Sequence, residues 1–189
     1  MKKVNVLMAV VLTLCLSSQL KAQMVGGINL GLVSWFNESA DYDLNLKTQF
    51  GGSVNFGNIF NDQFMIEGSV GYFFNTKSYD EDGFSTKNTV GNLMIAVNGK
   101  YFLMDNDNTL YLCSDLGINN RSITSKIGGL KLSSSFTFFG LAPGAGLLLG
   151  KGNDISFKVE AKYHIYFNNN EYGSGLNGIS IAAGILKEF

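Results

Sequence analysis

Apolar and polar residues alternate along most of the chain. The clearest stretch runs from Ile155 to Phe167, where odd-numbered positions are apolar or aromatic and the even-numbered positions between them are mostly polar or charged. Successive side chains of a β-strand point to opposite faces, so this period of two predicts a strand with one apolar face. The same period predicts eight strands, at about 25–36, 46–56, 63–74, 90–103, 109–119, 134–149, 155–167 and 178–189.

The sixth predicted strand is the least regular one. Phe136 and Phe138 fall on the same parity as Gly140, Gly144 and Gly146. One extra residue in a strand reverses the parity that follows it. We therefore expect a bulge near Phe139.

The polar parity of the strands indicates which face meets which solvent. It is rich in Gly, Ser, Asn, Gln and Ala and carries few charges. Such residues suit the narrow interior of an eight-stranded barrel, which side chains just fill. In a soluble lipid-binding barrel this parity would face water, and the apolar parity would line the interior. We therefore predict an all-β fold, an eight-stranded antiparallel up-and-down transmembrane β-barrel, with a periplasmic lipid-binding soluble barrel as the alternative.

The connections between the predicted strands alternate in length. Residues 37–43, 75–87, 120–133 and 168–177 form long polar segments, and residues 57–62, 104–108 and 150–154 form short ones. Outer-membrane barrels have short periplasmic turns and long extracellular loops. The alternation predicts four extracellular loops and periplasmic termini.

Aromatic residues gather near the predicted strand ends. Amphipathic rings prefer the level of the lipid headgroups, so these residues predict a girdle at each membrane interface. They are Trp35, Phe36, Phe56, Phe64, Tyr72, Phe74, Tyr101, Tyr163, Phe167 and Phe189.

The first residues have the layout of a secretory signal peptide. Lys2 and Lys3 precede a short apolar run, and Ala22 provides a small residue for cleavage before Gln23. This predicts a signal peptide over residues 1–22, a barrel domain over 23–189 and export to the outer membrane. Cleavage removes three lysines and no acid, which takes the formal net charge from −1 to −4. We expect no nucleic-acid partner, because the sequence has no basic stripe, and it has no polybasic segment for an anionic lipid surface either.

Candidate chemistry is confined to the polar parity. Isolated buried charges are costly, so the charged residues of this parity are expected to pair inside the barrel, around the single histidine. This predicted lumen network comprises Glu67, Lys100, Asp115, Lys158, Glu160, Lys162 and His164. The sequence has no G-x-S-x-G elbow and no metal-ligand spacing, so we predict no cofactor, no metal and no enzymatic activity. A lipid-modifying enzyme that uses His164 is a lesser alternative.

The terminal strand completes the picture. Ile181, Ile185 and Phe189 share one face of it, and Phe189 is the last residue of the sequence. With the eight-strand pattern, these residues make the chain similar to the small eight-stranded outer-membrane β-barrels, such as the OmpX type and the membrane domain of the OmpA type. The resemblance implies that Ile181, Ile185 and Phe189 form the signal read by the barrel-assembly machinery, although Lys187 departs from that pattern. It also implies surrounding outer-membrane lipids, a structural or surface-interaction role and a possible surface ligand at the loops, with a narrow channel as a further alternative.

Overall fold

The protein folds as a closed ring of eight antiparallel strands. A computed structural model describes residues 22–36, 47–60, 62–81, 84–104, 106–127, 130–167 and 176–189, so residues 1–21 of the predicted signal peptide lie outside the described part. The strands are β1 Ala22–Trp35, β2 Thr48–Phe60, β3 Phe64–Glu81, β4 Phe84–Phe102, β5 Asn108–Ile127, β6 Leu130–Leu149, β7 Ile155–Phe167 and β8 Leu176–Glu188. Each strand pairs with its neighbours in sequence, and β1 pairs with β8 to close the ring. The predicted eight-stranded antiparallel barrel is confirmed.

The apolar parity lies on the outside of the barrel. Leu30 is 63% exposed and Phe157 is 60% exposed, whereas their neighbours Asn29 and Lys158 are buried. This is the reverse of what a soluble lipid-binding barrel requires, because such a barrel turns its apolar side chains inward. Within the described ranges, no helix is long and apolar enough to cross a membrane.

Half of the barrel wall is taller than the other half. Strands β3 to β6 contain 18, 19, 20 and 20 residues, whereas β1, β2, β7 and β8 contain 14, 13, 13 and 13. A membrane-spanning strand needs only about 9–11 residues. The surplus lies at the end opposite the termini and forms a four-stranded extension of residues 75–81, 84–90, 120–127 and 130–138, which we call the projecting sheet.

The projecting sheet corrects two loop predictions. Residues 75–87 and 120–133 were expected to be loops, but β3 continues to Glu81, β4 begins at Phe84, β5 continues to Ile127 and β6 begins at Leu130. Of the other two predicted loops, residues 37–43 and 168–175 lie outside the described residues, and Leu176 already belongs to β8.

Two further expectations about aromatic residues are wrong. There is no bulge near Phe139, because β6 keeps one register with β5 from the pair Asn108–Leu149 to the pair Ile127–Leu130, and Phe138 points into the barrel. Trp35 does not belong to a girdle: it is 0% exposed, and its indole nitrogen donates to Gln49 Oε1 at 3.3 Å. The other nine predicted girdle residues are exposed.

The interior is arranged in layers along the barrel axis. The lower layer, near the chain termini, is apolar and consists of Val25, Ile59, Met65, Phe102, Tyr111, Cys113, Leu148 and Leu186. The upper layer, near the projecting sheet, consists of Val33, Trp35, Phe73, Phe138, Tyr166 and Leu176. Polar and charged side chains of β3, β4, β5 and β7 fill the space between the two layers.

Glycine makes room for several of the large inward rings. Trp35, Tyr111 and Tyr166 each lie opposite a glycine of the neighbouring strand, in the register pairs Trp35–Gly178, Tyr111–Gly146 and Tyr166–Gly140. A Cβ atom at Gly178 would lie 2.6 Å from the Trp35 ring, and one at Gly140 would lie 2.7 Å from the Tyr166 ring. The rings therefore occupy space that any other residue type would fill.

Candidate functional site

The six charged residues predicted for the lumen lie together between the two apolar layers. They form one chain of alternating charge, which is therefore electrically neutral. Its order is Lys158, Glu67, Lys100, Glu160, Lys162 and Asp115.

The contacts within this ionic chain vary in length. The shortest join Lys100 Nζ to Glu67 Oε2 at 2.5 Å and Lys162 Nζ to Glu160 Oε1 at 2.7 Å. Lys162 Nζ also lies 3.0 Å from Asp115 Oδ1, while the Lys100–Glu160 and Lys158–Glu67 contacts measure 3.6 and 3.7 Å. Buried charges persist when they are paired and hydrogen-bonded, and alternation gives every charge an opposite neighbour.

Neutral side chains complete the ionic chain. The Tyr111 hydroxyl donates to Glu160 Oε2 at 3.1 Å, and the Asn98 amide donates to Asp115. Sequence reasoning missed both residues. Each shares a strand face with a predicted charge, Asn98 with Lys100 and Tyr111 with Asp115, so parity alone could have included them.

His164 lies apart from the carboxylates of this chain. Its Nε2 atom lies 2.8 Å from Ser180 Oγ, and its ring packs against those of Trp35 and Tyr166. A cavity of about 60 Å³ lies beside it, lined by apolar side chains such as Val33 and Phe73 and by polar ones that include Asn98, Asp115 and Ser180. A cavity of this size with polar groups in its wall has room for a few water molecules.

The His164–Ser180 contact has the spacing of a general base and a nucleophile, but its surroundings do not complete such a site. His164 Nδ1 has no hydrogen-bond partner within the described part of the chain, so no third group orients the ring. The cavity of about 60 Å³ is far smaller than the roughly 300 Å³ at which small-molecule sites begin. Nor are three His, Cys, Asp or Glu side chains grouped as metal ligands in the described ranges.

One edge of the projecting sheet has no partner strand among the described residues. The last described pair between β6 and β7 is Phe139–Phe167, so no described strand pairs with residues 130–138 on that side. Residues 130–137 are exposed on both faces, and Leu130 is 74% exposed. On the opposite edge, the last described β2–β3 pair is Phe50–Phe74, and the Asn75 side chain donates to the Thr48 carbonyl oxygen at 2.6 Å.

The three residues of the predicted assembly signal lie on the outward face of β8. Ile181, Ile185 and Phe189 are all exposed, and the Lys187 ammonium lies 5.2 Å from the centre of the Phe189 ring. Lys187 thus shares the outward face with these residues and covers the last ring.

A closed eight-stranded ring with apolar side chains outside and paired charges inside defines an integral outer-membrane β-barrel. The sequence profile of the outer membrane protein beta-barrel domain matches residues 6–185. The chain belongs to that family, and its location in the outer membrane is thereby confirmed.

Solved structures share the fold at low sequence identity. Ail, the attachment invasion locus protein of Yersinia pestis, solved with the heparin analogue sucrose octasulfate, is 17% identical with a TM-score of 0.58, and the match covers 91% of this chain and 100% of that one. A major outer membrane protein of Thermus thermophilus is 13% identical with a TM-score of 0.59, covering 89% and 100%. Neisserial surface protein A is 15% identical with a TM-score of 0.53, covering 89% and 97%. No curated protein matches the chain.

Proposed function

We propose that this protein is a non-catalytic recognition protein of the outer membrane, in which the barrel is the anchor and the projecting sheet is the binding part. The observation that carries the proposal is the edge of β6 at residues 130–138, which no described strand pairs and which we call the open edge. Nine residues of extended strand span about 30 Å. This length exceeds what the membrane requires, so it supports a purpose outside the lipid.

An open strand edge can bind a partner through its backbone. Its unpaired N–H and C=O groups add a further strand, and side chains on alternate faces provide selectivity. Ala142 and Pro143 have register partners in β5 but none in β7. Proline has no backbone N–H, so the missing donor of Pro143 is on the side of β6 that faces β7. The N–H groups of a strand alternate in direction, so those of Ser133 and Ser135 point to the open edge.

The comparison with Ail supports a surface ligand. Ail was solved with a heparin analogue, which shows that a barrel of this fold takes a ligand from solution. For the present chain we infer the same kind of role, a surface interaction. The retention experiment below identifies the class of partner.

The barrel itself acts as an anchor in this proposal. Its surroundings are outer-membrane lipids, which the apolar outward face fits. The barrel-assembly machinery would read Ile181, Ile185 and Phe189, which form the outward face of the closing strand. The ionic chain and the two apolar layers act as a plug, so we expect no reproducible conductance steps in planar bilayers.

The test compares cells that display three forms of the protein. In the trimmed form, residues 78–87 and 124–133 are each replaced by Asn-Gly, a two-residue turn that joins the register pairs Lys77–Asn88 and Ile123–Ser134. The second form carries Ser135→Pro, which blocks the open edge without removing a bond to β5. Ser135→Ala is its matched control.

The readout is the retention of cells on surfaces coated with extracellular-matrix proteins or sulfated glycans. Wild-type and Ser135→Ala cells should be retained above cells that lack the protein. Trimmed and Ser135→Pro cells should not, while each purified barrel still migrates differently in SDS before and after boiling. Retention of trimmed cells at the wild-type level would refute the proposal, and so would a wild type that no surface retains.

A further inference from the structure

Three lysines that are distant in sequence become neighbours on the projecting sheet. Lys87 of β4 is the register partner of Lys126 of β5, and Lys126 is the register partner of Lys131 of β6. We call these three residues the lysine rung. Adjacent strands lie about 4.8 Å apart, so the rung concentrates three positive charges within about 10 Å.

Among the described side chains, no carboxylate lies within ion-pair distance of the lysine rung. None of the three lysines forms an ion pair within the described part of the chain, and like charges directly opposite each other destabilise a sheet. Asp80, the outward acid of the described part of this sheet, pairs in register with Ser85 on the next rung and makes no ion pair with Lys87. The described residues of the projecting sheet include five basic and two acidic side chains, although the whole chain has a net charge of −1. An arrangement that costs stability and lacks a counter-charge points to an external anion.

The lysine rung faces sideways, toward the surrounding lipid. It lies on the outward parity, the same face as the lipid-facing side chains of β4 and β5. The next outward register rung toward the membrane consists of four hydroxyl side chains, which we call the hydroxyl rung. Its Thr76 and Thr89 Oγ1 atoms are 3.0 Å apart, and Thr124 Oγ1 lies 3.2 Å from Ser133 Oγ.

The next features below the hydroxyl rung mark the membrane boundary. The stacked rings of Tyr72 and Phe74 have their centres 6.0 Å apart and belong to the aromatic girdle. The register partner of Phe74 in β4 is Gly91, which marks the level of the girdle on that strand. Lys87 is four residues beyond Gly91, which is about 14 Å along the strand. In strands tilted by about 40°, this places the backbone of the rung roughly 10 Å above the aromatic girdle, from where the long lysine side chains can bend back along the sheet to phosphate groups at the outer border of the headgroup layer.

We propose that the lysine rung and the hydroxyl rung bind the phosphate groups of anionic lipids in the outer leaflet beside the barrel. Lysine binds phosphate as a point charge, and hydroxyls can donate to the remaining phosphate oxygens. Neighbouring ammonium groups at the strand spacing can share one phosphate or contact adjacent ones. The lateral orientation selects lipid over a soluble ligand. Lys131 and Ser133 also belong to the β6 edge, but the lipid site uses outward side chains and the recognition role uses the backbone edge, so the Lys→Gln variants and Ser135→Pro test the two proposals separately.

Sequence reasoning excluded a polybasic segment for anionic lipid, and no such segment exists. The positive surface is assembled by register across three strands instead. It became visible only once the predicted loops were found to be strands.

The test measures lipid binding by the full-length protein in neutral detergent micelles. The probe is fluorescent phosphatidic acid, and the competitors are unlabelled phosphatidic acid, phosphatidylcholine with the same acyl chains, inorganic phosphate and a heparin oligosaccharide. Each lysine near an anionic lipid surface strengthens binding about fivefold, so Lys126→Gln should weaken binding by that factor. The triple variant, in which Lys87, Lys126 and Lys131 are all replaced by Gln, should weaken binding about 100-fold. Lys77→Gln is the matched control, because it removes one charge from the other face of the same sheet.

Competition by phosphatidic acid alone, together with a loss in the triple variant and none in Lys77→Gln, supports the site. Asp80→Asn should tighten binding, and added salt should weaken it. Equal binding by the triple variant would overturn the proposal. Competition by inorganic phosphate at the same concentration would show a free-phosphate site, and displacement by the heparin oligosaccharide would show a soluble-glycan site; either result overturns the lipid assignment. The substituted residues are exposed, except for the half-buried Lys77, and all variants should retain the boiling-dependent shift in SDS mobility.

Discussion

Replacing Lys162 by methionine should destabilise the barrel strongly. Lys162 is the node that joins two carboxylates, with Nζ 2.7 Å from Glu160 Oε1 and 3.0 Å from Asp115 Oδ1. Methionine keeps most of the side-chain volume but removes the charge. The five remaining charged residues then carry a net charge of −1, and Asp115 loses its only partner in the ionic chain.

The expected magnitude follows from these distances. At an effective dielectric constant of about 20, each contact of roughly 3 Å corresponds to about 5–6 kcal/mol of Coulomb attraction. Burying the lysine ammonium costs several kcal/mol of desolvation energy, and the uncharged methionine avoids this cost, which offsets part of the lost attraction. We therefore expect a net loss of about 3–5 kcal/mol in the free energy of unfolding, as is typical when one partner of a buried pair is removed.

A second substitution should restore part of this loss. Asp115→Asn removes the orphaned carboxylate, and Lys158, Glu67, Lys100 and Glu160 remain as a complete alternating chain. The double variant should therefore be more stable than Lys162→Met alone, by about 2 kcal/mol.

Urea unfolding in detergent micelles, followed by the fluorescence of the single tryptophan, measures both values. Lys77→Met, on the projecting sheet, is the control and should change stability by less than about 0.5 kcal/mol. If the two substitutions are simply additive, or if the double variant is the less stable one, then the ionic chain does not act as a connected unit and the reasoning fails.

Three further predictions concern the wall and its contents. In Gly57→Ala, the new Cβ would overlap the carbonyl oxygen of Ile66 and lie 2.7 Å from Glu67 Cα. We therefore expect the free energy of unfolding in urea to fall by at least about 2 kcal/mol. Gly68→Ala, whose new Cβ would have its nearest neighbour at 3.8 Å, should leave the stability almost unchanged. Trp35 should resist quenching by bromine-labelled lipids in vesicles, and strong quenching would contradict its inward position. Purified protein should migrate at different positions in SDS before and after boiling, and an unchanged mobility would count against a closed barrel.

The strands inside the membrane could be predicted because their two faces meet different solvents. The prediction for β7, Ile155–Phe167, matches the observed strand at both ends, since its apolar and charged residues alternate without exception over most of its length. Beyond the apolar part of the membrane both faces of a strand meet water or polar headgroups, and the period of two disappears. Residues 75–81 and 130–133 therefore resembled loops in sequence, although they continue β3 and β6.

The interior was harder to predict than the wall. Parity placed the six charged residues on the buried face, but it could not give their order, because that order depends on the register between strands. The inward parity was expected to consist mainly of Gly, Ser, Asn, Gln and Ala, but the large rings of Trp35 and Phe138 also point inward. The space for the Trp35 ring comes from Gly178 on the neighbouring strand, which a single strand read alone does not reveal.

The pairing of inward rings with glycines also constrains how the wall can assemble. Trp35, Tyr111 and Tyr166 each need a missing Cβ at one position of the adjacent strand. Sliding a strand by two residues preserves its apolar and polar faces, so the hydrophobic pattern cannot reject that error. A slide in either direction would, however, drive the rings of Trp35 and Tyr166 against a side chain, and a slide toward Leu148 would do the same to Tyr111. The three pairs, distributed over the β8–β1, β5–β6 and β6–β7 seams, thus act as steric checks on alignment during assembly.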